Sequence, residues 1–350
     1  MSRLILIAGA DATGASALAH RTLEAAGDEG LRAVLVDGTR PYLDDDDDAG
    51  TSTVDSLTAA LTRVLGEAGA DPIAAADWVG LPSISALATL SAAVDALDEA
   101  DVVVVDAGGL AQVRVLVETP VAVVRLLDSV LTPRLAMHRT SAGESVLFDA
   151  FSSARVDALR LVHALRRPDA TVRLVTPAVE AVAHATQEAL AVLALLGVAV
   201  DGIAVTGMPR SGDGASKQAR RHAQALVDAL EVDGVTVWSA GRRGRPAPKG
   251  RSPVAVLGAV PGLDDARLHV EVGDEELTVD IPLAHAARAD VRVGLQGERL
   301  VVESARVRRW LDLPSVLRRC VAVRAERTST GLRVVFVPDP ATWRQTEEAS

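Results

Sequence analysis

Residues 3–16 read RLILIAGADATGAS, and this stretch decides the fold. Arg3 to Gly9 is an aliphatic run closed by glycine, the pattern of a strand buried on both faces of a parallel sheet. From Ala15 to Ala26 (ASALAHRTLEAA) the apolar residues recur at helical spacing. Between the two lies a tight turn, Gly9-Ala10-Asp11-Ala12-Thr13-Gly14-Ala15-Ser16. A strand, a glycine turn and a helix N-terminus in that order aim main-chain N–H groups at one point, where an anion can sit. Residues 32–37 (RAVLVD) supply the next strand and complete a βαβ unit.

Working outward, strands and helices keep alternating. Helices are expected over 52–69 and 83–98, the second opened by Pro82 and Ser83. Residues 101–106 (DVVVVD) form the most hydrophobic strand and belong at the centre. Helical spacing dominates 121–167, interrupted at Pro133 and at SAGES (141–145). Further strands are expected at 171–176, 202–206 and 235–239, with helices over 179–196 and 215–230. Such alternation over about 240 residues predicts an α/β fold with a doubly wound, mostly parallel sheet. Ligands of such sheets sit beyond the carboxyl ends of the strands.

The pattern changes after residue 240. GRRGRPAPKGRSP (241–253) carries five basic residues and no apolar period, and reads as a surface loop or a docking patch for an acidic partner. From Arg267 the apolar period is two: Leu268, Val270, Val272; Leu277, Val279, Ile281; Val291, Val293, Leu295. Runs at 299–303, 321–325 and 332–337 continue it. Short strands with polar turns predict a small C-terminal antiparallel β-sandwich. The expected organisation is an α/β domain over 1–263, a sandwich over 264–340 and a disordered tail over 341–350.

Composition narrows the function. The net charge of -11 disfavours nucleic acid and anionic lipid as broad electrostatic partners. Cys320 is the single cysteine, so neither an internal disulfide nor a cysteine-built zinc site can form within one chain. The N-terminus lacks the pattern of a secretory signal, and no run of about 18 uncharged apolar residues suggests a membrane span. A cytoplasmic protein is expected. His138, His163 and His184 share no ligand spacing and read as helix-surface residues. Among 36 basic residues only Lys217 and Lys249 are lysines.

The turn at 9–16 has the spacing G-x-x-x-x-G-K-[ST], with alanine where lysine belongs. It resembles the loop of the ArsA-type ATPases, the family of the arsenite-pump subunit and the tail-anchored-protein targeting factor. That family's loop usually reads GKGGVGKT, which implies a P-loop NTPase fold of the deviant Walker A, SIMIBI-like type. Both lysine positions are alanine here, Ala10 and Ala15, and Asp11 adds an acid, whereas Gly9, Gly14 and Ser16 are kept. DAGGLAQVRVLVETP (106–120) is similar to the family's switch segment in length and in Asp106 and Pro120. VRLVTPAVEAVAHATQEALAVLALLGVAVDGIAVTGMP (172–209) follows its strand-helix-strand, with Thr206 where an asparagine usually meets adenine. VDGTRPYLD (36–44) places Arg40-Pro41 where the family has Asp-Pro. RVRRWLDLPSVLRRCVAVRAERTSTGLRVVFVPDP (306–340) resembles the α-crystallin-like domain of one branch.

The resemblance implies ATP and Mg²⁺, but the chemistry of the loop argues against them. Removing one preorganised donor at a reacting oxyanion costs about 10²–10³ in rate, so two missing lysines cost of order 10⁴. A helix N-terminus returns only about 0.3–1 kcal/mol at an exposed site. The expectation is a pseudo-ATPase without cofactor, with Gly9, Ala10, Asp11, Gly14, Ala15, Ser16, Asp106 and Thr206 as a vestigial nucleotide site. The alternative is a slow Mg-ATPase in which Arg40 supplies the charge. Asp106 reads either as a Mg²⁺-linked carboxylate or as a strand-end acid capping the next turn, and Asp37 likewise. The resemblance implies a homodimer or a heterodimer with an ArsA-type paralogue. It also implies hydrophobic protein segments or lipid as clients of the helices in 121–167. Leu126, Leu127, Leu131, Leu135, Met137, Leu147, Phe148 and Phe151 there read as core or as a groove. Cys320 reads as buried and inert.

Overall fold

The computed structural model describes residues 2–9, 14–39, 82–130, 142–179, 182–207, five positions between 221 and 228, 237–240, 269–273, 276–283, 291–296, 299–304, 307–328 and 331–339. Several expectations lie outside the described residues: the helix over 52–69, the loop at 241–253, Arg40-Pro41 and the tail after 340. The helix expected over 215–230 is described only at Arg221, Gln224, Ala225, Val227 and Asp228, each helical.

The first unit comprises Met1–Ala178, Asp201–Pro209 and Val237–Val260. Its elements are β1 (Arg3–Gly9), α1 (Ala15–Asp28), β2 (Ala33–Asp37), α2 (Pro82–Ala96), β3 (Val102–Gly109), α3 (Leu110–Val130), α4 (Ala142–Leu165) and β4 (Ala170–Pro177), joined by most of β5 (Ala199–Thr206) and by β6 (Val237–Ala240). Six strands form one sheet in the order β2-β3-β1-β4-β5-β6. The pairs β2–β3, β3–β1, β1–β4 and β5–β6 are parallel. The α/β expectation with a mostly parallel sheet therefore holds. β1 lies centrally because it can: Leu4 to Ala8 are at most 1% exposed, and each fully buried leucine or isoleucine contributes about 1.5–3 kcal/mol. The α1 face of the sheet packs Ile5, Ile7, Val104, Val175 and Ala204 against Ala15, Leu18, Ala19 and Ala26. Small alanines on the helix let it approach the sheet closely.

Two differences from the sequence reading concern helices. α3 begins at Leu110, directly after β3, and runs through Pro120. Proline there removes the bond to the Leu116 carbonyl, yet Val113, Leu116 and Val117 stay buried, so packing outweighs the lost bond. The helix expected from 179 starts at Ala183.

The second unit comprises Val179–Val200, Arg210–Thr236 and Pro261–Ser350. It holds α5 (Ala183–Leu196) and seven strands: β7 (His269–Val272), β8 (Leu277–Pro282), β9 (Arg292–Gln296), β10 (Arg299–Ser304), β11 (Val307–Asp312), β12 (Cys320–Arg327) and β13 (Gly331–Pro338). They make a three-stranded sheet, β11-β10-β9, and a four-stranded one, β12-β13-β8-β7. All their recorded pairs are antiparallel. One core joins them, centred on Phe336, Val279, Ile281, Leu300 and Val302.

β11 escapes the period-two reading for a physical reason. Arg309 stands opposite the buried Val302, at an inward position where an aliphatic residue is expected. Cys320 is only half-buried, which corrects the expectation of full burial. Its thiol donates to the Val316 carbonyl at 3.4 Å, and burial pushes its pKa up. At pH 8 it is expected to alkylate more slowly than free cysteine, and to match it in denaturant. Equal rates in folded and unfolded protein count against that microenvironment.

Candidate functional site

The described residues of the sequence-derived site, Gly9, Gly14, Ala15, Ser16, Asp106 and Thr206, lie at the carboxyl edge of the parallel sheet, in two corners. The first corner lies where β1 hands over to α1. Gly9 pairs with Gly109 on β3 and Val175 on β4. Gly14 is the N-cap of α1 with φ 79, a left-handed conformation that favours glycine. A Cβ there would also lie 3.0 Å from Val175 Cγ1. The Gly14 carbonyl accepts the Leu18 N–H at 3.1 Å, which starts the helix ladder. Ala15 is 2% exposed and its methyl belongs to the cluster on the α1 face, while Ser16 is exposed. The first turn of α1 carries no acidic residue. Ala10 and Asp11 lie outside the described residues.

Thr206 ends β5 beside this corner, its Cγ2 3.9 Å from the Cβ position of Gly14. Its hydroxyl donates to the Thr176 carbonyl at 3.4 Å, and its carbonyl accepts the Ala178 N–H at 2.8 Å. Thr206 therefore ties the ends of β4 and β5 together.

The second corner joins β2 and β3. Asp37 and Asp106 are register partners. Asp37 Oδ1 accepts the Thr39 N–H at 2.9 Å and the Thr39 hydroxyl at 2.6 Å. Asp106, 5% exposed, accepts the Gly108 N–H at 3.0 Å through Oδ1. The Gly38 N–H donates to the Asp106 carbonyl at 2.9 Å. A Cβ on Gly38 would sit 2.9 Å from that same oxygen, so the close approach needs glycine. Each carboxylate thus bonds the main chain two residues on, the geometry of a turn-capping acid. Among the described residues no three His, Cys, Asp or Glu side chains converge as a metal site.

The switch-like stretch 106–120 is the end of β3 followed by the first turns of α3. Arg114 and Glu118 pair at 2.8 Å along that helix.

Sequence reasoning missed a buried polar cluster in the same sheet. Asp201 on β5 receives both Arg173 Nε (3.2 Å) and Nη2 (2.8 Å), Arg3 Nη2 (3.1 Å) and the Thr171 hydroxyl (3.3 Å). Arg173 also reaches Thr22 Oγ1 on α1 at 3.4 Å and lies 5.5 Å from the ring centre of Trp238 on β6. Burial lowers the Arg3 pKa, with Asp201 opposing and Arg173 reinforcing the shift. The signal was present: Arg3, Arg173 and Asp201 each interrupt an otherwise apolar strand run, and a charge in such a run requires a partner.

On the helices, Leu126 of α3 is 62% exposed, as is Val156 of α4, while Leu127 is buried. Asp128, Ser152, Arg155 and Val156 line a cleft of about 340 Å³. Phe151 is half-buried; the side chains of Leu147 and Phe148, and all of Leu131, Leu135 and Met137, lie outside what is described. In the sandwich a second cleft, of about 220 Å³, is lined by Leu283, Val291, Val293, Ala325, Arg327, Gly331 and Leu332. No helix among the described residues is long and apolar enough to cross a membrane.

Residues 273–336 match the HSP20-like domain found in ArsA. The chain is also 36% identical over 103 residues to the uncharacterized protein SCO2128 of Streptomyces coelicolor. That match covers 27% of this chain and 26% of SCO2128, so it spans about a quarter of its length. The α-crystallin-like expectation for the C-terminal sandwich is met by the first finding.

Proposed function

We propose that this chain is an ArsA-related pseudo-ATPase, a binding or regulatory subunit that does not turn over ATP. In this reading residues 1–263 form the degenerate ATPase domain and 264–340 the chaperone-like domain. The protein works in the cytoplasm as a homodimer or beside an ArsA-type paralogue, and it engages hydrophobic protein segments or lipid. The observation that carries the reading is the pairing of an HSP20-like match over 273–336 with alanine at both lysine positions of the loop. Ala15 supports it further, because its methyl is packed in the apolar cluster beneath α1. The turn-capping bonds of Asp37 and Asp106 favour the structural role for those acids. The cleft that Leu283, Val291, Val293 and Leu332 share with Arg327 offers apolar side chains to a client beside one cation.

Exposed Ser16 and the left-handed Gly14 support a second reading, a slow Mg-ATPase with a rewired loop. Calorimetric titration separates the two. No saturation by Mg-ATP below about millimolar concentration is expected, a free energy weaker than about -4 kcal/mol. Micromolar affinity, or hydrolysis abolished by Ser16→Ala, overturns the first reading in favour of the second.

A further inference from the structure

The three-stranded sheet of the sandwich runs β11-β10-β9, so β11 and β9 are its opposite edges. Leu300, on the middle strand and 0% exposed, pairs with Leu311 on β11 and with Leu295 on β9. The two partners hold equivalent inward positions, yet Leu311 is 5% exposed and Leu295 41%. At the β11 edge the cover is visible. Helix α5 packs on β8, β10 and β11, and its Ala191, Val192 and Leu195 join the core cluster there. At the β9 edge lies the cleft of about 220 Å³, walled by Leu283, Val291, Val293 and Leu332 of the same cluster.

Both places carry an arginine at an inward register position of an edge strand. Arg309 on β11 stands opposite Val302, and Arg327 on β12, an edge of the four-stranded sheet, stands opposite Leu332. Arg309 donates to the Leu195 carbonyl in the last turn of α5. The last carbonyls of a helix have no N–H partner within it, and a cation beside them also complements the dipole. Gly197 follows with φ 74, and a Cβ there would lie 3.0 Å from Arg309 Nη2, so glycine leaves the space the guanidinium fills. Arg327 lines the cleft and is the one charged residue among its described walls.

We propose that the cleft receives the apolar C-terminal end of another protein chain, with aliphatic side chains against Val293 and Leu332 and the terminal carboxylate on Arg327. Charge and size select that occupant. An internal peptide segment brings a neutral carbonyl to the guanidinium, whereas a chain terminus brings a carboxylate that an arginine can grip with two parallel N–H bonds. The volume is that of about seven water-sized groups, enough for two aliphatic side chains and too little for a long acyl chain. The preference for a terminus rests on the apolar-client part of the function proposed above and holds whichever reading of the phosphate loop is correct.

Fluorescence anisotropy of an N-terminally labelled peptide AVLAL, the sequence of Ala191–Leu195, titrated with the full chain, tests this. The peptide is compared as free acid and as C-terminal amide. The acid is expected to saturate below about 1 mM and to bind about tenfold more tightly than the amide. Arg327→Met is expected to remove that preference and Arg327→Lys to keep most of it. Ala325→Leu, which fills the cleft from an exposed position, is expected to weaken both peptides equally. Equal affinity of acid and amide in the unmodified protein, or a preference that survives Arg327→Met, overturns the proposal and leaves the apolar client standing. Tighter binding of octanoate than of the free acid assigns the cleft to an acyl chain and overturns it too. Binding of neither peptide overturns the proposal together with the apolar-client reading of this cleft.

Discussion

Asp201→Ala is expected to destabilise the first unit by about 3–5 kcal/mol, the loss typical of removing one partner from a buried ion pair. Asp201 is 8% exposed and receives hydrogen bonds from two arginines and a threonine. Without it, the guanidinium groups of Arg3 and Arg173 remain buried with no carboxylate between them. Arg3 already pays for burial and for the nearness of Arg173, and Asp201 supplies the opposing attraction. Thr22 and the Trp238 ring are too weak as partners to replace a carboxylate. Guanidinium denaturation followed by exchange of β1 and β4 peptides measures the loss. The triple variant Arg3→Met, Arg173→Met, Asp201→Leu is expected to recover much of it, since an apolar replacement of a buried ion cluster is often neutral. A loss under about 1 kcal/mol in Asp201→Ala would show that the cluster is solvated in practice.

The parallel sheet was legible because its strands are long aliphatic runs with few other uses. RLILIAG and DVVVVD pair in register as β1 and β3, with Arg3 opposite Val102 and Leu6 opposite Val105. The same hydrophobic emphasis hid Asp201: the strand expected over 202–206 begins three residues earlier, at Ala199, and so includes the aspartate. Arg309 misled in the same way, breaking the alternation that would have marked β11. In both cases a charge satisfied by a distant partner carries no local signal of that partner. The grouping of α5 with the sandwich was illegible for a different reason. Ala191, Val192 and Leu195 would read the same against any apolar surface. The turn between β1 and α1 was half legible: its glycine spacing marks a tight strand-to-helix turn, but not that Gly14 is left-handed, whereas the reading of Asp37 and Asp106 as acids capping the next turn was open to the sequence because each bonds the main chain only two residues on.

Phe336→Ala is expected to cost the sandwich about 3–5 kcal/mol, the range for truncating a large buried aromatic. The chain has three phenylalanines, and its core is otherwise aliphatic, so few neighbours are large enough to swing into the void. Phe336 is 0% exposed and pairs with Leu277 on β8 and Ala322 on β12, two strands it must hold at the right spacing. Its ring lies in the same buried cluster as Leu195 of α5, Leu300 of β10 and Val279 of β8. Phe336→Leu keeps the apolar character and most of the volume, and is expected to cost less than about 1.5 kcal/mol. The pair is read by the denaturant midpoint of β8 and β13 peptides. A large loss in both variants points to the ring itself, through packing that leucine cannot imitate; a small loss in both means the sandwich core collapses around the gap. Only the expected split, large for alanine and small for leucine, fits a core whose stability comes from filled volume.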